Sequence, residues 1–371
     1  MWILVSKMVY VENDRFDFVL LPAVDQSGDT HLPCGPLTLT WFIPDFDVGS
    51  GGHTTIFRTI CLLQRMGCMS NIVMIPPTKY SSNAQMEHVV RKNFMREFSG
   101  KFFLWGEKIP ESNALIATSW ETAYYVAATP VEGRRFYFVQ DYEPLFFPAG
   151  SRAVFAENSY RLGLSCICAS PWLARLMREK YGARAGSFLL GYSPEQYGNL
   201  GRPRKSKTIL FYARHLTPRR GFELGVLALA LVKKADPEVE IILFGANAYP
   251  DLPFSCHCRG VLNHQELLEM YNEATVGLVI SLTNYSLIPN EMMACGLPVV
   301  DLDTECLRDL YESGTDIILA SPTPRAMADA IISLLGNPGL RSRIAENARR
   351  KVMDLTWEKT AACIHDLIRT L

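Results

Sequence analysis

From Leu37 onward the apolar positions switch between a two-residue and a helical period. "LTLTWFIP" is apolar and β-rich, "DVGSGGH" is a turn, and "TTIFRTICLLQRMG" carries apolar residues at helical spacing. "NIVMI" (Asn71 to Ile75), "ALIATS" (Ala114 to Ser119), "RFYFVQ" (Arg135 to Gln140) and "LSCICAS" (Leu164 to Ser170) are predicted strands, and Met86 to Phe98 and Trp172 to Tyr181 are predicted helices. "YSPEQYGNLGRPRKSK" (Tyr192 to Lys207) is rich in Pro, Gly and basic residues and poor in aliphatics, which predicts a linker. A second series follows: "TILFYAR" strand, "GFELGVLALALVKKA" helix, "VEIILFG" strand, "NHQELLEMYNEA" helix, "VGLVIS" strand, "PNEMMACG" the start of a helix, "LPVVDLD" strand, then three helices over 323–337, 338–352 and 357–371. Alternation of this kind predicts α/β architecture with parallel sheets covered on both faces.

A chain of 371 residues, 48% hydrophobic, is long enough for two cores, so two domains and a cleft are expected. The expected boundaries are an N-terminal extension 1–36, a first Rossmann-like domain 37–191, the linker 192–207 and a second Rossmann-like domain 208–355. A C-terminal helix 356–371 is expected to pack back on the first domain. Lysine plus arginine (37) nearly cancels aspartate plus glutamate (38), so no bulk charge favours nucleic acid or an anionic bilayer. The ten cysteines are scattered, mostly inside apolar segments, which suggests a reducing compartment. Cys256-His257-Cys258 lacks the spacer and second pair of a zinc knuckle and is read as structural. No run approaches the roughly twenty apolar residues that span a bilayer. The opening "MWILVSKMVYVEND" has no cleavage site of signal-peptide type, so a soluble, cytoplasmic protein is expected, with work beside a membrane left open.

The candidate chemistry lies in the second half. "YARHLTPRRGFELGVLAL" puts Arg214 at the end of a strand, Arg219 and Arg220 in a short loop, and Gly221 at the mouth of a helix. Strand ends and helix N-termini at the carboxyl edge of a parallel sheet offer free amides and partial positive charge, and guanidinium adds bidentate hydrogen bonds, a combination suited to diphosphate. A solvated basic loop is the alternative. Glu291, read as lying at the start of a later helix, suits the paired hydroxyls of a ribose, or is a capping carboxylate.

With those residues in place, the stretch from Thr208 to Val352 resembles the donor domain of the GT-B glycosyltransferases, in particular the retaining family four. There a strand ending in Arg is followed by a basic-Gly pair and later by a motif matching Glu291-Met-Met-Ala-Cys-Gly-Leu-Pro-Val-Val300. The resemblance implies that Arg214 and Arg220 grip the donor pyrophosphate, with Arg219 beside them. It implies that Glu291 holds the nucleotide ribose, and that Gly260 and Val261 belong to the loop whose backbone faces the base. The family carries a further Glu eight residues before the last, followed by Gly-Phe-Gly. Here Thr283 stands in that place, followed by Asn284, Tyr285 and Ser286 as donor-binding candidates. The lost acceptor for sugar hydroxyls favours a donor such as a 6-deoxy sugar.

In the first half, "PDFDVGSGGHTTIFRTICLLQRMG" resembles the first strand, glycine loop and helix of the same superfamily, and "FYFVQDYEPLFFPAG" (Phe136 to Gly150) is similar to a segment of bacterial rhamnosyltransferases that use dTDP-L-rhamnose. Gly51, Gly52 and His53 are acceptor-side candidates that could also approach the donor, His53 with a catalytic role or as a helix cap. Asp141 and Glu143 are candidates to orient an acceptor sugar, or are solvated loop acids. The nearby Tyr142, Phe146 and Phe147 suit a sugar face, a lipid-linked acceptor or a packed core. Asp45-Phe46-Asp47 and Asp301-Leu302-Asp303 both spell Asp-x-Asp, the metal-nucleotide signature of another glycosyltransferase fold, and are discounted. No metal and no cofactor are expected, because cationic side chains and helix termini would neutralise the leaving diphosphate.

The resemblance therefore implies a two-domain GT-B glycosyltransferase of surface polysaccharide synthesis, acting from a dTDP- or UDP-sugar, with dTDP-L-rhamnose the first choice. It implies a glycan or lipid-linked oligosaccharide acceptor, retention by front-face attack and domain closure. Its place would be the cytoplasm, with peripheral association at the inner membrane face compatible with the sequence. A GT-B sugar-nucleotide epimerase and an inactive nucleotide-sugar or glycan-binding module remain the alternatives.

Overall fold

The computed structural model describes residues 16–24, 32–46 and 51–371. Residues 1–15, 25–31 and 47–50, with the opening segment 1–14 and Asp47 among them, lie outside the described residues. The chain divides into two compact units. The first comprises the described residues up to Ala169, Leu173–Phe188 and Ala361–Leu371; the second comprises Ser170–Trp172 and Leu189–Thr360.

The first unit is built on seven parallel strands: β1 (Thr38–Ile43), β2 (Met69–Met74), β3 (Phe102–Leu104), β4 (Ala114–Ala117), β5 (Arg134–Val139), β6 (Ser165–Cys168) and β7 (Ala185–Ser187), in the order β3-β2-β1-β4-β5-β6-β7. Its helices are α1 (Gly51–Arg65), α2 (Asn83–Asn93), α3 (Trp120–Ala128), α4 (Ser151–Ser159) and α5 (Pro171–Tyr181). Both faces of the sheet are covered, which is why Trp41, Phe42, Tyr137 and Phe138, neighbours along their strands, are all buried. The described part of the N-terminal extension belongs here. Phe16 and Phe18 lie against Trp120 at ring-centroid distances of 6.4 and 5.5 Å, and Val24 N donates to Ala127 O at 2.9 Å.

The second unit carries six parallel strands, β8 (Thr208–Tyr212), β9 (Glu240–Phe244), β10 (His257–Cys258), β11 (Val276–Leu278), β12 (Val299–Leu302) and β13 (Ile318–Ala320), in the order β10-β9-β8-β11-β12-β13. Around them lie α6 (Phe222–Ala235), α7 (His264–Glu273), α8 (Leu287–Ala294), α9 (Glu305–Arg308), α10 (Pro324–Gly336) and α11 (Pro338–Val352). Caps set several boundaries: Asn263 and Glu266 form a reciprocal capping box at α7, and Thr323 and Asn337 cap α10 and α11 ahead of a proline in the first turn.

The stretch 192–207, expected as a linker, makes contacts within the second unit: Tyr192 bridges to Thr356 and the Arg204 guanidinium donates to the carbonyls of Tyr271 (2.7 Å), Ala274 (2.9 Å) and Cys295 (2.6 Å). Carbonyls left over at helix ends take up that cation, so a basic Pro/Gly segment becomes part of the second unit. The helix expected from Pro289 starts at Leu287, with Ser286 as its cap. The last helix, α12 (Trp357–Thr370), passes from the second unit into the first. There Cys363 Sγ donates to Ser187 O at 3.4 Å, and Arg369 reaches Pro33 O and Gly35 O at 2.9 and 2.7 Å. Among the described residues no helix is long and apolar enough to cross a membrane.

Candidate functional site

In the second unit the sequence-predicted residues follow the ends of parallel strands and so share the carboxyl edge of one sheet. β8 delivers Arg214, which is exposed, and its stem passes over Gly245 at the end of β9, where an added Cβ would meet Arg214 Cγ at 3.3 Å. Arg219 and Arg220 form a 3-10 turn, Pro218–Arg220, immediately before α6. Gly221 joins turn to helix with φ +50°, and an added Cβ would stand 2.6 Å from Ile280 Cγ2. Replacing Gly221 by alanine combines left-handed strain with that clash, so a loss of about 2–4 kcal/mol in denaturant unfolding is expected. Unfolding within about 0.5 kcal/mol of wild type would contradict this placement of the turn.

The turn carries unsatisfied groups. Arg220 Nη1 is buried with no hydrogen-bond partner, and so is Nδ1 of His215, which lies between Phe222 and Tyr249 at 5.7 Å from each ring. Leaving buried polar atoms unpaired costs free energy. His215 did not emerge from the sequence; its only signal is that it follows the strand-end arginine.

Ser286 caps α8 without using its hydroxyl. Its Oγ is buried and unpartnered at a helix start where Leu287 and Ile288 supply amides and Pro289 does not. Asn284 and Tyr285, expected as donor contacts, are otherwise engaged. Asn284 Oδ1 accepts from Cys306 Sγ at 3.0 Å and Tyr285 Oη accepts from Leu190 N at 2.6 Å, both deep in the second unit. Thr283 is buried too. Glu291 is half-buried and falls in the second turn of α8, where the dipole no longer favours a carboxylate. Its charge instead bears on the buried Tyr271 hydroxyl, which has no hydrogen-bond partner. Gly260, at φ +70°, accepts from Gly245 N at 2.8 Å, and Val261 N donates to Asn247 Oδ1 at 3.2 Å, leaving the Val261 side chain exposed. Cys256 and Cys258 lie just before that loop with sulfurs 3.8 Å apart.

In the first unit, Gly51 and Gly52 open α1 and are exposed, with Gln140, the residue after β5, 3.7 Å from where a Gly52 Cβ would be. The start of α1 and the end of β5 thus meet at the carboxyl edge of the first sheet. His53 is half-buried, 5.4 Å from the Phe46 ring. Asp141 is half-buried and accepts from Tyr142 N at 2.8 Å. Glu143 is not an open acceptor of sugar hydroxyls. Its Oε1 accepts from Tyr137 Oη at 2.6 Å and its Oε2 from Trp120 N at 3.0 Å, so it holds the start of α3. Burial, then the charge of Glu121, pushes its carboxyl up to about 8. Phe147 packs edge-on to Trp120 at 6.1 Å, and buried Tyr142 accepts from Lys180 Nζ at 2.9 Å. Asp45 serves the local turn, accepting from Phe46 N and Lys79 N at 3.0 and 3.3 Å. Asp303 pairs with Arg308 at 2.9 Å.

Residues 207–332 match the family described as WsaF, C-terminal domain. Over 338 residues the chain is 33% identical to the O-antigen biosynthesis protein RfbC of Myxococcus xanthus, a match covering 86% of this chain and 26% of that protein. Over 183 residues it is 26% identical to the phosphatidyl-myo-inositol mannosyltransferase of Mycobacterium leprae, covering 46% of this chain and 48% of the other. The chain thus spans between about a quarter and a half of the length of these curated relatives. The crystal structure of Anabaena HepE in complex with UDP superposes with a TM-score of 0.70 at 15% identity, over 90% of this chain and all of the other. The fold is α/β with two parallel Rossmann-like sheets, and its structural neighbours are of the GT-B class.

Proposed function

We propose that the chain transfers a sugar from a nucleoside-diphosphate donor, held by the second unit, to a glycan acceptor held by the first, in the synthesis of a bacterial surface polysaccharide. The observation that carries this reading is Arg220, whose buried Nη1 lacks a partner in a basic turn at the start of α6, on the carboxyl edge of a parallel sheet. The name of the Myxococcus relative supports the polysaccharide, that of the mycobacterial relative supports transfer of a hexose, and the UDP in the Anabaena structure supports a nucleotide donor.

In this mechanism Arg220 and Arg214 neutralise the diphosphate as its bond to the anomeric carbon breaks, with Arg219 adding charge to the same turn. The Ser286 hydroxyl and the first amides of α8 donate to the phosphate from the same sheet edge. Glu291 accepts from the ribose hydroxyls, and the backbone at Gly260 and Val261 faces the base. Asn284 and Tyr285 act at a distance by fixing the backbone that leads into α8. On the acceptor side Gly51 and Gly52 allow close approach of a sugar, while His53 and Asp141 face its hydroxyls. Charge neutralisation by arginines makes the transfer metal-independent, and the departing phosphate oxygen takes the acceptor proton on the face the leaving group vacates, which retains configuration. Thr283, where the resemblance leads one to expect an acid, favours a donor with a less demanding hydroxyl pattern, and dTDP-L-rhamnose is the first choice.

The test is a melting series in EDTA with dTDP, UDP and GDP. A ligand that binds only the folded state stabilises by about 2.7 kcal/mol at a hundredfold excess over its Kd. dTDP or UDP is expected to raise the melting temperature by several degrees, and nucleoside diphosphate release from the matching sugar nucleotide is expected to require an added glycan. No shift with any of the three, or product isomer formed without acceptor, would contradict the proposal.

A further inference from the structure

The proposed transfer leaves Asp301 without a task. It lies in β12 and is fully buried, where a carboxylate is tolerated only if donors satisfy it. Three do. Oδ1 accepts from Ser281 N at 2.9 Å and from Leu302 N at 2.7 Å, and Oδ2 accepts from Ser281 Oγ at 2.9 Å.

The register of the sheet explains the arrangement. β11 and β12 run parallel, with Gly277 N donating to Pro298 O at 2.8 Å and Val279 N to Val300 O at 3.0 Å. A continuing ladder would next bond Ser281 N to the carbonyl of Leu302. The Asp301 side chain takes that amide instead, and the chain after Ser281 turns away from the sheet. The segment it releases is the platform under the basic turn. Leu282 N donates to Arg219 O at 3.3 Å, and Ile280 and Leu282 lie directly beneath Gly221, at 2.6 and 3.4 Å from where its Cβ would be.

We infer that Asp301 is a positioning residue for the donor diphosphate: by clamping both the amide and the hydroxyl of Ser281 it fixes the 280–282 segment, which in turn sets the placement of Arg219 and Arg220. The inference rests on the reading of that turn as the diphosphate site. A charge link runs the same way. Burial pushes the Asp301 carboxyl up to about 7, opposed by its bonds to Leu302 and Ser281 and by the charge of Arg220. The buried Tyr311 phenol also senses it. Asp301 touches no substrate in this scheme, which separates it from Arg214 and Arg220.

The test uses the full chain, with binding of dTDP and UDP followed by titration calorimetry alongside Michaelis constants for donor and acceptor. Asp301→Ala is expected to weaken nucleoside diphosphate binding about tenfold or more and to raise the donor KM in step, with the acceptor KM unchanged. Asp301→Asn, which keeps an oxygen for the two amides, is expected to recover most of that loss. Ser281→Ala removes only the hydroxyl arm and is expected to cost about threefold with little change in melting temperature, so it reads the same clamp if Asp301→Ala does not fold. A fall in melting temperature with unchanged nucleotide affinity, or wild-type affinity in Ser281→Ala, overturns the positioning role. If Arg220→Ala still weakens binding in that case, the diphosphate reading stands and only the inference falls. If none of the variants, Arg220→Ala included, changes nucleotide binding, both fall.

Discussion

Arg220→Ala is expected to lower kcat/KM for the sugar nucleotide by about 10²–10³-fold, because it removes a preorganised donor aimed at charge that grows as the diphosphate leaves. The fold should tolerate the change. Arg220 Nη1 is buried without a partner, so its removal deletes an unsatisfied group as well as the attraction to Asp301. A variant that melts close to wild type but no longer gains stability from dTDP or UDP is therefore the expected signature. Arg220→Lys keeps a point charge and loses the planar fork, which places it between the two. Full turnover in Arg220→Ala, measured at donor concentrations well below KM, would show that the turn serves another purpose.

The second large effect lies in the first unit. Glu143 is buried against Tyr137 and the amide of Trp120, and its carboxyl is pushed up to about 8 by burial first and by Glu121 second. In the unfolded chain the same group titrates near about 4.3. Below that value both states hold the proton and its contribution to stability is fully present. Between the two values the folded protein keeps a proton that the unfolded chain has lost, so the contribution declines as pH rises and is gone above about 8. The amount at stake is on the order of 5 kcal/mol for a shift of this size. Thermal unfolding is expected to show a falling melting temperature from pH 5 to pH 8.5, and Glu143→Gln, which carries no proton to lose, is expected to flatten that slope. Glu143→Ala leaves Tyr137 Oη and Trp120 N without an acceptor and opens a cavity, at a cost of about 3 kcal/mol. A wild-type profile as flat as that of the Gln variant would mean that Glu143 is ionised throughout.

Most long elements were legible because their apolar periods are long enough to read. The helix expected over 338–352 is α11 to the residue, and "TILFYAR" and "VEIILFG" contain β8 and β9. The strands that escaped notice are β3, β7, β10 and β13, each two or three residues long, too short to display alternation. α3 was missed for the opposite reason. It is buried nearly all round, so "WETAYYVAA" offers no polar face to mark its period.

The site was legible in outline, since strand-end arginines and a turn before a helix follow from local spacing. Three details depended on contacts the sequence does not contain. Pro289 suggested a helix start, yet Ser286 caps α8 and the proline takes the third position, which moves Glu291 out of the first turn. Glu143 resembled a loop acid, and only the distant Trp120 amide and Tyr137 hydroxyl reveal its burial. Asp301 looked like half of a metal motif, but two of its three donors come from Ser281, just past the neighbouring strand β11.

The most direct measurement is a crystal structure of the protein grown in EDTA with dTDP or UDP. The diphosphate is expected within about 3 Å of the Arg214 and Arg220 guanidinium groups, with the ribose hydroxyls on the Glu291 carboxylate. A nucleotide bound elsewhere in the chain, or one that enters only when magnesium is supplied, would contradict the account.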